Sequence, residues 1–299
     1  MKNFLRYRKI YYAFSGLLIV ASLYSLFSFG LNLGIDFTGG SIMEVEFQNT
    51  RPQSQEVQEA LQDIDLGSIS LQITGEKGLI LRMKSIDEAT HQFAIEKLNN
   101  NWGVTEKRFE MIGPAIGREL QQKTKTLIAL SLLAIILYVA LSFRRISRPL
   151  LSWHYGVVTA FVALFHNILI PLGAFAVLGE LFEIQITIPI VVGLLTVFGY
   201  SINDTIVVFD RIRENLIKKS GVTYEDTVNL SLNQTLVRSV NTSLTTLFVL
   251  GSLFFLGGES LKYFAFVLIL GIVLGTYSSL FVASPILVTF KNFRSRKFS

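Results

Sequence analysis

Residues 186–209 are ITIPIVVGLLTVFGYSINDTIVVF, an apolar run in which Asp204 is the one charged residue. The run is long enough to cross a bilayer, which takes about 20 residues of α-helix. A carboxylate is expensive in hydrocarbon, so we expect Asp204 to face other helices rather than lipid. Of the 299 residues, 51% are hydrophobic and only 16% are charged, and the mean hydropathy is +0.49. The sequence therefore predicts an α-helical membrane protein.

Five further apolar runs have the length of a membrane span. The six runs are 10–31, 124–143, 150–178, 186–209, 236–257 and 262–290. Basic residues cluster before the first run, between the second and third, after the fourth and after the sixth. The six runs predict six transmembrane helices of a bacterial inner-membrane protein, and the positive-inside rule places both termini in the cytoplasm. This topology explains the net charge of +5, so we expect no nucleic-acid partner.

Residues 32–121 form the long polar stretch of the chain, on the side opposite the basic loops. Their periodicity changes in the order strand, helix, strand, strand, helix, strand. The predicted strands lie near 43–47, 69–74, 78–83 and 104–112. Ser85 and Glu88 are predicted to form the capping box of the second helix. We expect an extracytoplasmic α+β domain of ferredoxin-like type, inserted between the first and second transmembrane helices.

This domain contains no evident catalytic constellation in the sequence. His91 stands alone among polar neighbours, and Glu44 with Glu46 is explained as the solvated face of a strand. A site needs several convergent groups rather than isolated ionisable ones. We therefore expect the domain to bind or to move rather than to catalyse.

The other segments follow from the runs and the charges. They are a cytoplasmic N-terminus with the first helix at 1–31, a five-helix bundle at 122–290 and a basic cytoplasmic tail at 291–299. Apolar residues at every fourth position from Tyr224 to Leu236 predict an amphipathic helix near 221–235. That helix is expected to lie on the membrane surface before the chain turns into the fifth span.

The fifth run carries a polar stripe at helical spacing. Its members are Arg238, Asn241, Thr242, Thr245 and Thr246. Counted from the outer ends of their runs, Asp204 and Arg238 lie at similar depth, so adjacent antiparallel helices bring them close together. The residues alone leave two interpretations open. One is structural: either a buried ion pair that locks two helices, or an Arg238 close enough to the cytoplasmic interface to snorkel. The other is a proton relay whose carboxyl responds to the arginine.

Other polar and small residues in the spans have simpler explanations. His166 is more readily a hydrogen bond between helices than a relay, as intramembrane His, Asn and Thr commonly are. Together with Asn203 and Thr242 it is the candidate for a secondary polar pathway. Gly271 and Gly275 form a GxxxG pattern, which predicts close helix packing.

Three motifs resemble the SecF family of protein-export membrane subunits, within the resistance-nodulation-division superfamily. They are LGIDFTGGS at 33–41, GYSINDTIVVFDRIREN at 199–215 and GTYSS at 275–279. The resemblance covers the whole chain in order, and the motif around Asp204 is long and specific. By motif match, it implies that Asp204 and Arg238 form the proton pathway, which favours the relay. The family often has His-Asp where this chain has His166-Asn167, so no proton-carrying role is expected at position 167.

The resemblance also implies partners and a task. It implies a complex with SecD, which supplies the second half of the transporter, and association with the SecYEG channel and YajC, and further with SecA and YidC. The complex is expected to use the proton motive force to assist preprotein translocation on the outer side of the membrane. The motifs leave open whether the coupling ion is H⁺ or Na⁺.

Two alternatives stay open beside this interpretation. One is a half-transporter of the same superfamily that exports lipids or small hydrophobic molecules, although its outer insertions are small for a substrate tunnel. The other is a passive assembly subunit in which no proton moves. An enzyme is not expected, and neither is a cofactor or a metal, because phosphate loops, metal-spaced His clusters and nucleophile–base sets are missing from the sequence.

Overall fold

The computed structural model describes residues 3–142, 157–158, 162 and 166–297. Contacts divide the chain into two compact units. The sheet unit comprises Asn32–Thr126 with Gln185–Thr187, and the helix bundle comprises the rest. Each unit is described by itself.

Most helices of the helix bundle are long and apolar. The helices are α1 (Arg8–Phe29), α5 (Pro114–Ser142, whose first turns belong to the sheet unit), α6 (Leu169–Phe182), α7 (Ile188–Ile217), α8 (Tyr224–Leu256), α9 (Glu259–Ser278) and α10 (Ser284–Lys297). Within the described residues, five helical stretches are long and apolar enough to cross a membrane. The predicted run at 150–178 lies partly outside the described residues, and its described end is a turn at 166–168 followed by the shorter helix α6.

Small residues let α9 pack closely on α7. A Cβ atom built on Gly271 would lie 2.2 Å from Cγ2 of Val197, and one on Gly275 would lie 3.0 Å from Cβ of Ser201. A larger residue at Gly271 would force the two helices apart. The close packing predicted from the GxxxG pattern is confirmed.

The prediction of a separate amphipathic helix near 221–235 is wrong. Residues Tyr224–Leu256 form one continuous helix that begins in a capping box of Thr223 and Asp226. No glycine or proline occurs between Tyr224 and Leu250, so nothing in that stretch breaks the helix. The apolar residues at every fourth position are buried in the protein core, next to Leu5 and Val208, rather than presented to a membrane surface.

A short π-helical segment, Ser279–Ala283, joins α9 to α10. Pro285, two positions after its end, has no N–H to continue the α-helical ladder. The hydroxyl of Ser284 donates to the carbonyl of Ser279 at 3.0 Å across this wider turn. Such segments are rare in helices and are frequent at functional sites.

The sheet unit contains four antiparallel strands in the order β2-β3-β1-β4. Its elements are α2 (Ile35–Thr38), β1 (Gly40–Phe47), α3 (Ser54–Ala60), β2 (Ser70–Thr74), β3 (Gly78–Met83), α4 (Glu88–Trp102) and β4 (Val104–Ile112). Met43, Val45, Leu79 and Leu81 point from the sheet into a core shared with α3 and α4. The chain order of strands and helices agrees with the predicted pattern.

The predicted capping box of α4 is wrong. Asp87 is the N-cap, and its Oδ1 accepts a 2.9 Å hydrogen bond from the backbone N–H of Thr90. Ser85 lies before the helix, so its hydroxyl is too early in the chain to serve the first turn. Both Asp and Ser are good caps, and sequence spacing alone does not choose between them.

Two adjacent glycines join α2 to β1. Gly39 has φ +76° and Gly40 has φ +141°, conformations that L side chains rarely adopt. A Cβ on Gly39 would lie 2.7 Å from Cα of Pro114, and one on Gly40 would lie 2.8 Å from the carbonyl oxygen of Met83. Conformation and space therefore both require glycine at this pair.

Candidate ion site in the helix bundle

Asp204 lies on the buried face of α7 and is 8% exposed. The groups that interact with its carboxyl are the hydroxyls of Ser239 on α8 and Thr276 on α9, and the charge of Arg238. Its Oδ2 atom, however, makes no hydrogen bond of normal geometry within the described part of the chain. The carboxyl thus lies near two hydroxyls that do not satisfy its full hydrogen-bonding capacity.

Arg238 is exposed and does not form an ion pair with Asp204 among the described residues. It lines an open cleft of about 510 Å³ that also includes Tyr138, Asp210 and Glu214. The two carboxylates in the cleft pair with other cations, Asp210 with Arg213 at 3.2 Å and Glu214 with Lys218 at 2.6 Å. The structure therefore places Asp204 and Arg238 on neighbouring helices, with the carboxyl inside and the guanidinium on the open face.

Helix α8 carries two polar stripes, of which the sequence prediction recognised one. The predicted stripe is open to the surroundings: Arg238, Asn241, Thr242 and Thr245 are exposed. The second stripe runs at every fourth position on the buried face: Ser231, Thr235, Ser239 and Ser243. Ser239 of this second stripe interacts with Asp204. The i, i+4 spacing from Ser231 is the signal that would have revealed the stripe.

Asn203 and Thr242, predicted for a secondary pathway, lie on the exposed side. The Thr242 hydroxyl donates to the carbonyl of Arg238 at 2.9 Å. Exposed Thr196, Asn203, Arg238 and Asn241 give α7 and α8 a joint polar face. Polar side chains are costly against lipid, so this face requires a protein or aqueous neighbour in a membrane.

His166, the third residue of the predicted secondary pathway, belongs to a separate buried network. Its Nδ1 donates to Oδ1 of Asn167 at 2.9 Å, and the Asn167 amide donates to Oγ of Ser201. The ring stacks on Tyr277 with centroids 5.6 Å apart. Nε2 is buried and makes no hydrogen bond among the described residues. Within the described residues, this network joins α7 and α9 and includes no hydrogen bond from His166 to Asp204.

The prediction that His91 is alone is wrong. In the sheet unit, His91 is 4% exposed. Nδ1 lies 3.2 Å from Oε1 of Glu88 and Nε2 lies 2.8 Å from Oε1 of Glu106, while the ring stacks on Phe109 with centroids 3.7 Å apart. Glu106 and Phe109 are on β4, so their approach depends on tertiary structure and could not be read from the neighbours of His91 in sequence.

The described residues contain no group of three or more His, Cys, Asp or Glu side chains that could hold a metal ion. The site consists of the Asp204 carboxyl and the hydroxyls of Ser239 and Thr276, which suit hydrogen bonds and a proton or a weakly held cation. A carboxyl that shares its surroundings with hydroxyl groups can exist there in either protonation state.

Comparisons with known proteins agree with this arrangement of helices and motifs. Residues 94–293 match the family model described as protein export membrane protein SecD/SecF, C-terminal, and residues 24–50 match the SecD/SecF GG motif. The second match contains Gly39 and Gly40, where the backbone requires glycine.

Curated relatives match over nearly the full chain. The protein translocase subunit SecF of Thermobaculum terrenum is 40% identical, over 98% of this chain and 95% of the relative. The subunit of the same name from Anaerolinea thermophila is 36% identical over the same shares. The crystal structure of SecDF from Thermus thermophilus, titled a translocon-associated membrane protein, has a TM-score of 0.85 and 32% identity.

The match to SecDF covers 97% of this chain but 39% of the SecDF chain, so this chain spans about two fifths of that protein's length. The apolar helices and the named relatives together indicate a multi-pass membrane protein. The chain belongs to the SecD/SecF family of protein-export membrane proteins and is similar throughout to its SecF subunits.

Proposed function

We propose that this chain is a non-catalytic subunit that pairs with SecD and uses the proton motive force to assist preprotein translocation through the SecYEG channel. The observation that carries the proposal is the buried Asp204 carboxyl, which faces Ser239 and Thr276 but forms no ion pair among the described residues. Burying a carboxyl inside a membrane costs free energy, so such a residue is expected to have a function. Proton transfer is the function that the family suggests.

The proposal includes a topology. Six spans, with both termini in the cytoplasm of the inner membrane, are supported by the alternating basic loops and by the long apolar helices of the structure. Residues 32–121 would form a ferredoxin-like domain on the outer side, which the strand order β2-β3-β1-β4 supports. The bundle at 122–290 and the basic tail at 291–299 complete the arrangement.

The proton pathway is proposed to consist of Asp204 and Arg238, with His166, Asn203 and Thr242 in a secondary role. The exposed position of Arg238 supports a shared site, because the polar face of α7 and α8 needs a neighbour that is not lipid. A second transporter half from SecD would provide it, as superfamily transporters place their sites between two related halves. YajC, SecA and YidC are further partners that the family resemblance suggests.

In this mechanism, a proton from the outer side neutralises Asp204 and weakens its attraction to Arg238. The helices then rearrange and move the outer domains, and release of the proton on the inner side resets them. One charge that crosses 100 mV provides about 2.3 kcal/mol, enough to bias a two-state equilibrium. Because both ion types suit the oxygen groups around Asp204, the test must also compare H⁺ with Na⁺.

The test uses this chain with its SecD partner in vesicles that contain the channel. Under an imposed proton gradient, we expect Asp204→Asn to abolish ion flux and gradient-stimulated preprotein release while the complex still assembles. Asp204→Glu should keep part of both activities. An imposed sodium gradient without a proton gradient serves as the ion control.

Full flux and release in Asp204→Asn would show that the chain is a passive assembly subunit or that the energy enters elsewhere. Activity with the sodium gradient alone would replace H⁺ by Na⁺ in the mechanism. Export of a lipid or small hydrophobic probe instead of preprotein release would favour the half-transporter alternative.

A further inference from the structure

The segment Gly275–Ser279 is one of the family motifs, and the mechanism proposed above gives its threonine no role. It crosses from the last turn of α9 into the π-helical segment. The absence of a side chain on Gly275 lets α9 approach α7 at Ser201. This approach places the next residue, Thr276, where its hydroxyl faces the carboxyl of Asp204.

The Thr276 hydroxyl has two oxygen neighbours to which its hydrogen can point, Ser243 and Asp204. Oγ of Ser243 donates to the carbonyl of Ser239 at 2.9 Å and lies 2.5 Å from Oγ1 of Thr276. A serine hydroxyl has one hydrogen. When Ser243 gives that hydrogen to the carbonyl, Thr276 is the donor in the contact between the two hydroxyls. In that arrangement Thr276 presents lone pairs to Asp204, and with its hydrogen turned the other way it donates to the carboxyl.

An oxygen that presents lone pairs suits a protonated carboxyl and does not suit a carboxylate. A carboxylic acid can donate its O–H to Thr276, whereas an ionised carboxylate needs donors. Oδ2 of Asp204 and Oγ of Ser239 are buried and make no hydrogen bond among the described residues. Buried polar atoms in this state are costly and rare, so the site has unused capacity for one more hydrogen.

We propose that Thr276 is a positioning residue that shares one hydroxyl hydrogen between Ser243 and Asp204. With Asp204 protonated, the carboxyl donates to Thr276 and Thr276 donates to Ser243. When the proton leaves Asp204 for water, the Thr276 hydroxyl rotates about its Cβ–Oγ1 bond and donates to the carboxylate. No covalent bond other than the acid O–H changes, and Thr276 keeps its own hydrogen throughout.

The inference deepens the proposed function and rests on it in one respect, that Asp204 takes up and releases a proton. It adds a partner that sequence spacing does not reveal, because Thr276 lies 72 positions after Asp204 in the chain. It also gives a role to the threonine beside Gly275.

The first readout is the infrared C=O stretching band of protonated Asp204, measured in the full chain with SecD in lipid vesicles. Loss of the band in Asp204→Asn assigns it. In Thr276→Val, which keeps the shape and removes the hydroxyl, we expect the band to move to higher frequency because the carboxyl has lost a hydrogen bond. Thr276→Ser should return the band to the parent position.

The second readout is proton flux in the same vesicles. Since a hydrogen bond to a charged group is lost, we expect Thr276→Val to lower the flux about ten-fold and Thr276→Ser to restore most of it. The matched control is Thr289→Val, which removes a threonine hydroxyl that contacts the Tyr12 hydroxyl at 3.0 Å, away from Asp204. It should change neither the band nor the flux.

An unchanged band and flux in Thr276→Val would overturn the inference, whatever Asp204→Asn does. An equal loss in the Val and Ser variants would also overturn it, because a structural requirement would then explain the loss. Should Asp204→Asn keep full flux, the proposed function fails, while the infrared band still shows whether Thr276 contacts the carboxyl.

Discussion

His91 in the sheet unit and Asp204 in the helix bundle are both buried ionisable residues, and the structure treats them in opposite ways. Both nitrogens of His91 contact carboxylate oxygens, and its ring stacks on Phe109. Asp204 has an oxygen that makes no hydrogen bond among the described residues. Fully paired groups hold a structure together, whereas an incompletely paired one has room to change its state. The contrast separates a structural cluster from a candidate working site.

The largest effect on stability is expected at His91. His91→Leu leaves Glu106 partly buried without its partner, so we expect the free energy of unfolding of the sheet unit to fall by about 2 kcal/mol. This loss is measured by denaturant unfolding of the full chain, with hydrogen exchange in β4 as the probe. Glu44→Gln on the same sheet is the control and should change little, since Glu44 is in no ion pair among the described residues. An unchanged free energy of unfolding in His91→Leu would contradict the structural role of His91.

A smaller effect is expected at the start of α4. Asp87→Ala should lower the melting temperature of the sheet unit because it removes the N-cap, whereas Ser85→Ala should leave it unchanged. An equal fall in melting temperature in the two variants would instead support the capping box of Ser85 and Glu88 that the sequence predicted.

The cap also has a pH signature. Hydrogen bonds from the hydroxyl and backbone N–H of Thr90 hold the pKa of Asp87 below its usual range. Its stabilising contribution is therefore present above about pH 4, the ordinary range of Asp, and is lost as the pH falls through the lower folded pKa. Asp87→Ser, which caps without a charge, should show no such loss.

The smallest effect on stability is expected at Asp204, although its effect on flux is the largest. Asp204→Asn replaces an incompletely paired carboxyl by a neutral group of the same shape, so we expect unfolding to change by less than about 1 kcal/mol. Thermal unfolding of the purified complex checks this. A loss as large as that in His91→Leu would mean that Asp204 is a structural residue.

Local patterns in the sequence were sufficient where the structure depends on neighbours in the chain. The strand at 78–83 and the packing at Gly271 and Gly275 agree with prediction because alternation and small-residue spacing act locally. The surroundings of His91 were missed because β4 reaches it through the fold. On α8, the stripe with the conspicuous arginine was recognised, and the stripe with Ser239 and Ser243 was overlooked because serine at every fourth position resembles ordinary helix polarity.

The uninterrupted helix α8 sets a geometric condition on any motion at the site. Consecutive residues of an α-helix point about 100° apart, so the backbone directions of Arg238 and Ser239 differ by that angle. Because α8 has no glycine or proline from Tyr224 to Leu250, we expect this stretch to rotate as a rigid helix rather than to bend locally. Turning the Cα–Cβ direction of Arg238 onto Asp204 would carry Ser239 and Ser243 away together, so a direct ion pair made by such a turn would cost the carboxyl its contact with Ser239.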